Sequence, residues 1–226
     1  MKVELHLHTR RYSGCAAHTA EEMLAALAAF GYDAAYLTEH DAVWPRDDIA
    51  RLQDRFPQIR VFPGLEKSSR EAPQHVVILG ADDASYLDEQ DDRRLLERAR
   101  AEGHLVILAH PFRWSGGDRL LRDGQGPSSP THRAWGPLLP DALELRTNNH
   151  DEQQAQASAE AAARLGLKLV NCGDSHAIDF LDKFWIETDR PIVEADDIRS
   201  IVLEGAYRNS AGPARAMGRK QKAREP

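Results

Sequence analysis

The sequence predicts an α/β fold in which a mostly parallel sheet closes into a barrel. Short apolar segments alternate with helix-like segments along the 226 residues, which is typical of repeated strand–helix units. No glycine-rich dinucleotide fingerprint follows the first strand, and polar side chains fall where the apolar segments end. Barrel enzymes build their sites at such strand ends, so a closed or nearly closed barrel is preferred over an open doubly wound sheet.

The first half of the chain supplies four of the predicted strands. Residues 2–8 alternate polar and apolar, which indicates a half-buried strand. Residues 19–22 read as a capping box that opens a helix, which runs to about Phe30 and ends at Gly31. The next elements are a strand at 34–38, a helix near 47–55, strands at 61–65 and 75–79, and a helix at 91–102.

The second half continues the alternation after one interruption. Its predicted elements are strands at 105–109, 142–145, 169–172 and 184–187, and helices at 151–165 and 195–204. The interruption is the segment 112–140, which is rich in Gly, Pro and Ser and contains Trp114, His132 and Trp135. A loop of this length in a compact domain is usually a lid, a binding loop or disordered.

Charge is distributed unevenly along the chain. The net charge is −7, yet the residues from 206 onward include six basic and one acidic side chain, giving +5 there and −12 for the rest. We therefore predict a single domain at 1–205 and a basic, mobile tail at 206–226. The acidic body is a poor general surface for nucleic acid, although the tail is able to contact an anionic partner.

The sequence also predicts a cytoplasmic protein. No apolar run approaches the roughly 18 residues that a membrane-spanning helix needs, and the amino terminus lacks the apolar segment of a signal peptide. Cys15 and Cys172 are too few for a disulfide framework, which agrees with a reducing compartment.

The strongest local signal for chemistry is the pair His6 and His8. Residues two apart on a strand point to the same face, so both imidazoles are able to reach one metal ion, while Val3, Leu5 and Leu7 occupy the other face. Two surface histidines are the ordinary alternative for such a pair. The pair gains specificity from the polar residues at the other strand ends.

Those other residues are individually ambiguous. His40 could be a loop histidine, Glu66 an ordinary salt-bridged carboxylate, and His75 a packed core residue. His110 follows the apolar run 105–109, where a polar side chain at a barrel mouth needs a partner. Asp174 and His176 again stand two residues apart at a strand end, after Gly173, which permits close backbone approach.

Taken together, these residues predict a metal centre. Six of the ten histidines and two acids fall at successive strand ends, and no structural role predicts that alignment. Histidine and carboxylate ligands suit zinc, manganese or iron. The predicted ligands are His6, His8, His40, Glu66, His75, His110, Asp174 and His176.

At this point the sequence resembles the PHP (polymerase and histidinol phosphatase) family. The resemblance rests on the ordered segments LHLHT, TEHD, PGLE, QHVVILG, AHP and GDSH, and it covers residues 2 to about 190. It implies a distorted, TIM-like (β/α)7 barrel with two to three divalent metal ions. It further implies that His6, His8, Glu66 and Asp174 hold the first ion, that Glu66 bridges to a second ion held by His75 and His110, and that His40 and His176 help to hold a third.

The sequence departs from the family pattern at the third ion. The family often has an Asp soon after the first motif, where this chain has the segment 12–15 followed by His18. Cys15 or His18 is therefore a candidate replacement ligand. Glu39 also stands where the family usually has Asp.

The function predicted from these residues is metal-dependent hydrolysis of a phosphate ester. Two cations bridged by a carboxylate can bind and deprotonate a water and stabilise the leaving oxygen, so Glu66, His110 and Asp174 are the predicted catalytic residues. A small-molecule ester is preferred as the substrate, and Arg113 is the best candidate for binding its phosphate, ahead of Arg10 and Arg11. Three alternatives stay open: an exonuclease-like hydrolase of nucleic acid, a non-catalytic metal-binding domain, and an amidohydrolase. The sequence does not determine the oligomeric state.

Overall fold

The computed structural model describes residues 1–68, 75–113 and 139–213, and these form one α/β barrel. The strands are β1 (Lys2–Leu7), β2 (Ala34–His40), β3 (Arg60–Ser68), β4 (His75–Leu79), β5 (Leu105–Ala109), β6 (Ala142–Glu144), β7 (Lys168–Val170), β8 (Phe184–Thr188) and β9 (Tyr207–Ala211). The helices are α1 (Ala20–Ala29), α2 (Arg46–Arg55), α3 (Asp92–Ala101), α4 (Glu152–Leu165) and α5 (Asp197–Glu204). Short 3₁₀ turns occupy Ala84–Leu87 and Ile178–Phe180.

The strands form one sheet in the order β7-β6-β5-β4-β3-β2-β1-β8-β9. The segment after β7 returns to β1, where Ser175 pairs with Leu7 and exchanges backbone hydrogen bonds with His6 and His8. The prediction of a nearly closed barrel is therefore confirmed. Gly173 lies at this closure, where a Cβ atom would come within 2.3 Å of Glu4 Oε2, which bears out the close backbone approach expected there.

The prediction of a mostly parallel sheet is wrong in one respect. β4 runs antiparallel to β3 and β5, and β8 runs antiparallel to β1 and β9. Four of the eight strand pairs along the described sheet are therefore antiparallel. The inversion of β4 matters for the site, because His75 begins that strand and pairs in register with Ser68 and Ala109. Its amino end thus lies at the same rim of the barrel as the carboxyl ends of β3 and β5.

The alternation predicted for the first strand is interrupted by a bulge. Val3 pairs with Ala34 but Leu7 pairs with Leu37, so the register shifts by one residue between them. Val3 packs in the cluster that draws on eight strands and α5, whereas Leu7 packs against the outer helices with Leu37. Bulges re-aim side chains in this way, and this one directs His6 and His8 to the inside of the barrel mouth.

Two of the helices begin with a complete capping box. Thr19 and Glu22 exchange side-chain and backbone hydrogen bonds at the start of α1, as predicted. Asp151 and Gln154 do the same at the start of α4, which ends at Gly166 in the left-handed conformation. These caps fix the loops that lead from the barrel rim into the outer helices.

The chain end departs from the prediction made for it. The predicted tail cannot begin at residue 206, because Tyr207–Ala211 forms β9 and pairs with β8. Apolar residues were too few there to predict a strand from the sequence. Residues 214–226 and most of the loop 112–140, including Trp114, His132 and Trp135, lie outside the described residues. Within the described part of the chain, every helix is too short or too polar to cross a membrane.

Candidate metal centre

All eight predicted ligands lie together at one rim of the barrel. His6 and His8 come from β1 and the residue after it, His40 and Glu66 from β2 and β3, and His75 from the start of β4. His110 follows β5, and Asp174 and His176 follow β7. Glu66, His6 and His8 are fully buried, while the side chains of His40, His75 and His176 are 20–29% exposed.

The carboxylate of Glu66 lies at the centre of the cluster. Its Oε2 atom is 2.7 Å from Nδ1 of His40 and 3.2 Å from Nε2 of both His6 and His8. Its Oε1 atom is 2.8 Å from Nδ1 of His75 and 3.2 Å from Nε2 of His110. One buried carboxylate thus contacts nitrogens from five histidines.

Asp174 is the second carboxylate of the cluster. Its Oδ1 atom lies 3.3 Å from Nε2 of His8 and 3.4 Å from Nδ1 of His176. Among the described residues, this atom and Oε2 of Glu66 are buried without a hydrogen bond of acceptable geometry. Buried oxygens are rarely left so, and two that converge on histidine nitrogens fit a cation site.

The hydrogen bonds of the histidines indicate which nitrogen is available to a metal. Nδ1 of His6 lies 2.7 Å from Glu144 Oε1, so it carries the proton and donates it. The single hydroxyl proton of Ser13 goes to Glu39, so Nδ1 of His8, 3.3 Å from that hydroxyl, is also the donor. Both Nε2 atoms then present lone pairs, and they lie only 2.9 Å apart. Two lone pairs this close repel unless a proton or cation lies between them.

Three groups of these side chains have ligand atoms within 4.8 Å of one another. The groups are His6, His8 and Glu66; His40, Glu66 and His75; and His8, His40 and His176. His8 thus belongs to two groups. His8 stands beside His40 and His176, where the third ion was expected and where the sequence offered no complete set of ligands.

Electrostatics hold positive charge in the cluster. Burial lowers the pKa of His6, but the carboxylates of Glu66, Asp174 and Glu144 outweigh it and raise the pKa well above its ordinary value. Burial raises the pKa of Glu66, but His6 and the other histidines lower it well below its ordinary range. His176 is the exception, because burial and the neighbouring His8 lower its pKa to about 4 and leave it neutral at neutral pH.

Backbone strain accompanies two of the eight residues. His110 has a φ of 29° and Asp174 a φ of 47°, both in the left-handed region that side chains other than glycine rarely adopt. Such conformations persist only when the surroundings fix them, and they cluster at functional sites. A hydrogen bond from the backbone N–H of His110 to Glu144 Oε2, 2.6 Å long, fixes one of them.

Sequence reasoning missed the residues that support the cluster. Glu144, fully buried at the end of β6, contacts both His6 and His110 through its two oxygens. Its only sequence signal was an acid within the apolar segment 142–145. Asn149 donates a hydrogen bond from its side chain to Asp174. Ser13 contacts His8 and accepts from the backbone N–H of His40, and nothing in its sequence context indicated that role.

The remaining candidate residues are divided between two cavities. Arg113 and Cys15 line a cleft of about 700 Å³ together with Asp174 and His176. Arg10 and Arg11 line a different cavity, where Arg11 pairs with Asp48 at 2.9 Å. His18 lies beside Ile178, whose backbone N–H it accepts through Nδ1 at 3.4 Å. Neither Cys15 nor His18 joins a group of potential ligands among the described residues.

No family model and no curated protein matches the sequence. The comparison with known proteins therefore rests on solved structures with a similar fold. The chain is similar to a two-domain protein from Bacteroides vulgatus that contains a predicted PHP-like metal-dependent phosphoesterase. The TM-score is 0.66 at 18% identity, over 94% of this chain and 65% of that one. The chain therefore spans less than two thirds of that relative.

Two further similar structures carry different names. One is an amidohydrolase from Chromobacterium violaceum with bound sulfate, with a TM-score of 0.58 and 19% identity over 78% of this chain and 88% of that one. The other is the lesion-specific endonuclease EndoQ from Pyrococcus furiosus, with a TM-score of 0.58 and 14% identity over 92% of this chain and 57% of that one. The shared barrel confirms the fold expected from the PHP resemblance, and a likeness of fold alone does not determine the reaction.

Proposed function

We propose that this protein is a metal-dependent phosphoesterase whose ions are bridged by Glu66. The observation that carries the proposal is the contact of this one buried carboxylate with nitrogens of five histidines, its Oε2 atom lacking a hydrogen bond among the described residues. Nitrogen and carboxylate donors suit zinc, manganese or iron. The similarity to a barrel with a predicted PHP-like phosphoesterase supports the reaction class.

The ligand groups suggest how two to three ions divide these side chains. His6, His8, Glu66 and Asp174 would hold the first ion, and Glu66, His75 and His110 the second, with His40 also close to Glu66. His40 and His176 would help to hold a third. His8 lies in the same group, but its Nδ1 donates to Ser13 and its Nε2 belongs to the first ion, so it has no further nitrogen for the third.

The side chains of the centre have distinct tasks. Bound metal ions supply Lewis acidity toward a phosphoryl oxygen and toward water. Glu66, fully buried, orients the histidines around it, and His110 is held in place by the hydrogen bond from its backbone N–H to Glu144. Asp174 and His176 line the cleft, so they face a substrate directly. His176 is neutral at neutral pH and has a lone pair available, because its pKa is about 4.

We further propose that Arg113 binds the phosphate of the substrate. Its backbone N–H donates to the carbonyl of His110 at 3.0 Å, and its side chain lines the cleft that contains Asp174. A guanidinium binds phosphate oxygens through paired hydrogen bonds. Arg10 and Arg11 are set aside for this role because they line the other cavity.

A small ester is preferred over nucleic acid as the substrate. The basic residues near the chain end favour a nuclease, but most of the chain is strongly acidic and repels a long polyanion. The cleft of about 700 Å³ is within the usual size of small-molecule sites.

The test is an activity screen on metal-stripped and reconstituted protein. p-Nitrophenyl phosphate, bis(p-nitrophenyl) phosphate, a single-stranded oligonucleotide and an N-acyl amide would be assayed with zinc, manganese or iron. We expect hydrolysis of the phosphate monoester only after metal is restored. Cleavage of the amide alone would replace this proposal with an amidohydrolase, and no metal-dependent turnover of any phosphate ester would overturn it.

A further inference from the structure

The lining of the cleft beside the metal centre combines residues of the centre with residues of a different chemistry. Asp174 and His176 occupy one part of its lining. Phe180, Lys183 and Phe184 occupy another, and they follow His176 closely along the chain. A substrate whose phosphate reaches the centre can therefore place the rest of its body against these three residues.

Phe180 is unusual because its ring is exposed. It is 41% exposed, and the other exposed large apolar side chains among the described residues, Val193 and Leu203, do not line this cleft. Its backbone carbonyl accepts from Asn148 Nδ2 at 3.0 Å and from Ser175 Oγ at 3.3 Å. The ring is thus presented to the cleft from a fixed backbone, as preorganised binding surfaces require.

The lining of the cleft carries more basic than acidic side chains, although Arg146 is already paired with Glu152 at 2.6 Å. The ammonium of Lys183 lies 4.6 Å from the centroid of the Phe180 ring, and Arg113 and Arg146 also line the cleft. Asp174, a member of the metal centre, is the only acid in the lining among the described residues. An apolar ring beside an ammonium favours a ligand that is both flat and anionic.

We propose that Phe180 and Lys183 form a leaving-group subsite for phosphate monoesters of aromatic alcohols, with preference for a ring that carries a second negative charge. This inference rests on the proposed phosphoesterase function. Phe180 stacks on the aromatic ring, and Lys183 pairs with the anionic substituent. Sugar and polyol phosphates offer neither group and bind less well.

The test compares substrates whose leaving groups are all alkoxides, so that binding and not leaving ability decides. Metal-loaded protein is assayed with ethyl phosphate, benzyl phosphate and 4-carboxybenzyl phosphate. Burial of a phenyl ring predicts a kcat/KM about tenfold or more higher for benzyl than for ethyl phosphate. The carboxylate should raise kcat/KM further, by about threefold, which is the scale of a partly exposed ion pair.

Variants then separate the two residues. Phe180→Ala should remove most of the benzyl preference, measured as the ratio of kcat/KM for benzyl phosphate to that for ethyl phosphate. Lys183→Met should lower only the ratio of kcat/KM for 4-carboxybenzyl phosphate to that for benzyl phosphate. Leu203→Ala, at an apolar site of similar exposure (40%) outside the cleft, is the matched control. Binding of benzylphosphonate, which is not hydrolysed, should weaken in Phe180→Ala in the same proportion.

Failure of the subsite and failure of the function give different results. Equal kcat/KM for ethyl and benzyl phosphate, or a benzyl preference that survives Phe180→Ala, would overturn the subsite while the phosphoesterase stands. Hydrolysis of p-nitrophenyl phosphate but of none of these three esters would likewise overturn the subsite alone. A metal-loaded wild-type protein that hydrolyses no phosphate ester at all would overturn the proposed function and this inference with it.

Discussion

Glu144 provides a sharp test of how the barrel prepares the metal centre. Its carboxylate accepts the Nδ1 proton of His6 at 2.7 Å and the backbone N–H of His110 at 2.6 Å. These bonds connect β6 to ligands from two other strands. A carboxylate that holds a metal-binding histidine in one tautomer usually contributes tenfold to a hundredfold in metal affinity or activity, or about 1.4 to 2.7 kcal/mol.

Glu144→Gln is the informative substitution because it keeps the size of the side chain. An amide offers one oxygen, so it can satisfy His6 or the backbone of His110, but not both. Glu144→Ala would remove two buried hydrogen bonds to a charged group at about 1.5–3 kcal/mol each, a large part of the stability of a domain. We therefore expect Gln to fold and to bind the first metal ion about tenfold to a hundredfold more weakly.

The assay is titration of metal-free protein with Co²⁺, followed by its visible absorption, and competition with a chelator for Zn²⁺. Glu97→Gln, an exposed glutamate on α3 outside the centre, is the matched control and should behave as the wild type. A lower affinity together with a changed cobalt spectrum supports the positioning of His6. Unchanged affinity and an unchanged spectrum in Glu144→Gln would refute the reasoning.

Three further predictions concern the same centre and the chain end. Glu66→Gln should lower phosphoesterase activity by orders of magnitude while circular dichroism stays native, because Glu66 contacts five of the histidines; near-normal turnover would refute its bridging role. Zinc at a hundred times the Kd of the site should raise the free energy of unfolding of the metal-free protein by about 2.7 kcal/mol, seen as a higher Tm. A Tm that does not respond to metal would argue against a metal site in the folded state. Deletion of residues 214–226, whose five basic and one acidic side chains give +4, should leave small-ester kcat/KM unchanged at two salt concentrations. If kcat/KM is instead higher for an oligonucleotide than for small esters, and oligonucleotide cleavage loses its salt dependence on deletion, the nuclease hypothesis replaces the small-ester hypothesis.

The residues that gather at the site were predictable because strand ends meet at one rim. His40, His110 and Asp174 each end an apolar segment, and the carboxyl ends of parallel strands share an edge. This reasoning needs only local patterns and the closure of the sheet. His75 reaches the same rim for a different reason, since its strand runs in the opposite direction and begins there.

The features that were not predictable depend on contacts distant in sequence. The bulge in β1 is visible only when Val3 and Leu7 are paired with β2, and an alternating pattern looks the same with or without it. Glu144 is 138 residues from the histidine it contacts, so its role could not be seen in the segment that contains it. β9 is polar on much of its length, and only its pairing with β8 makes it a strand.

The central claim is that the carboxylate of Glu66 bridges metal ions, and anomalous X-ray scattering from a metal-loaded crystal tests it most directly. Data collected above and below the absorption edge of zinc, manganese or iron would locate each ion and its ligands. The expected result is at least two anomalous peaks within about 2.0–2.2 Å of the Glu66 oxygens, one beside His6 and His8 and one beside His75 and His110. Peaks confined to surface histidines, with none in contact with Glu66 in fully loaded protein, would contradict the account.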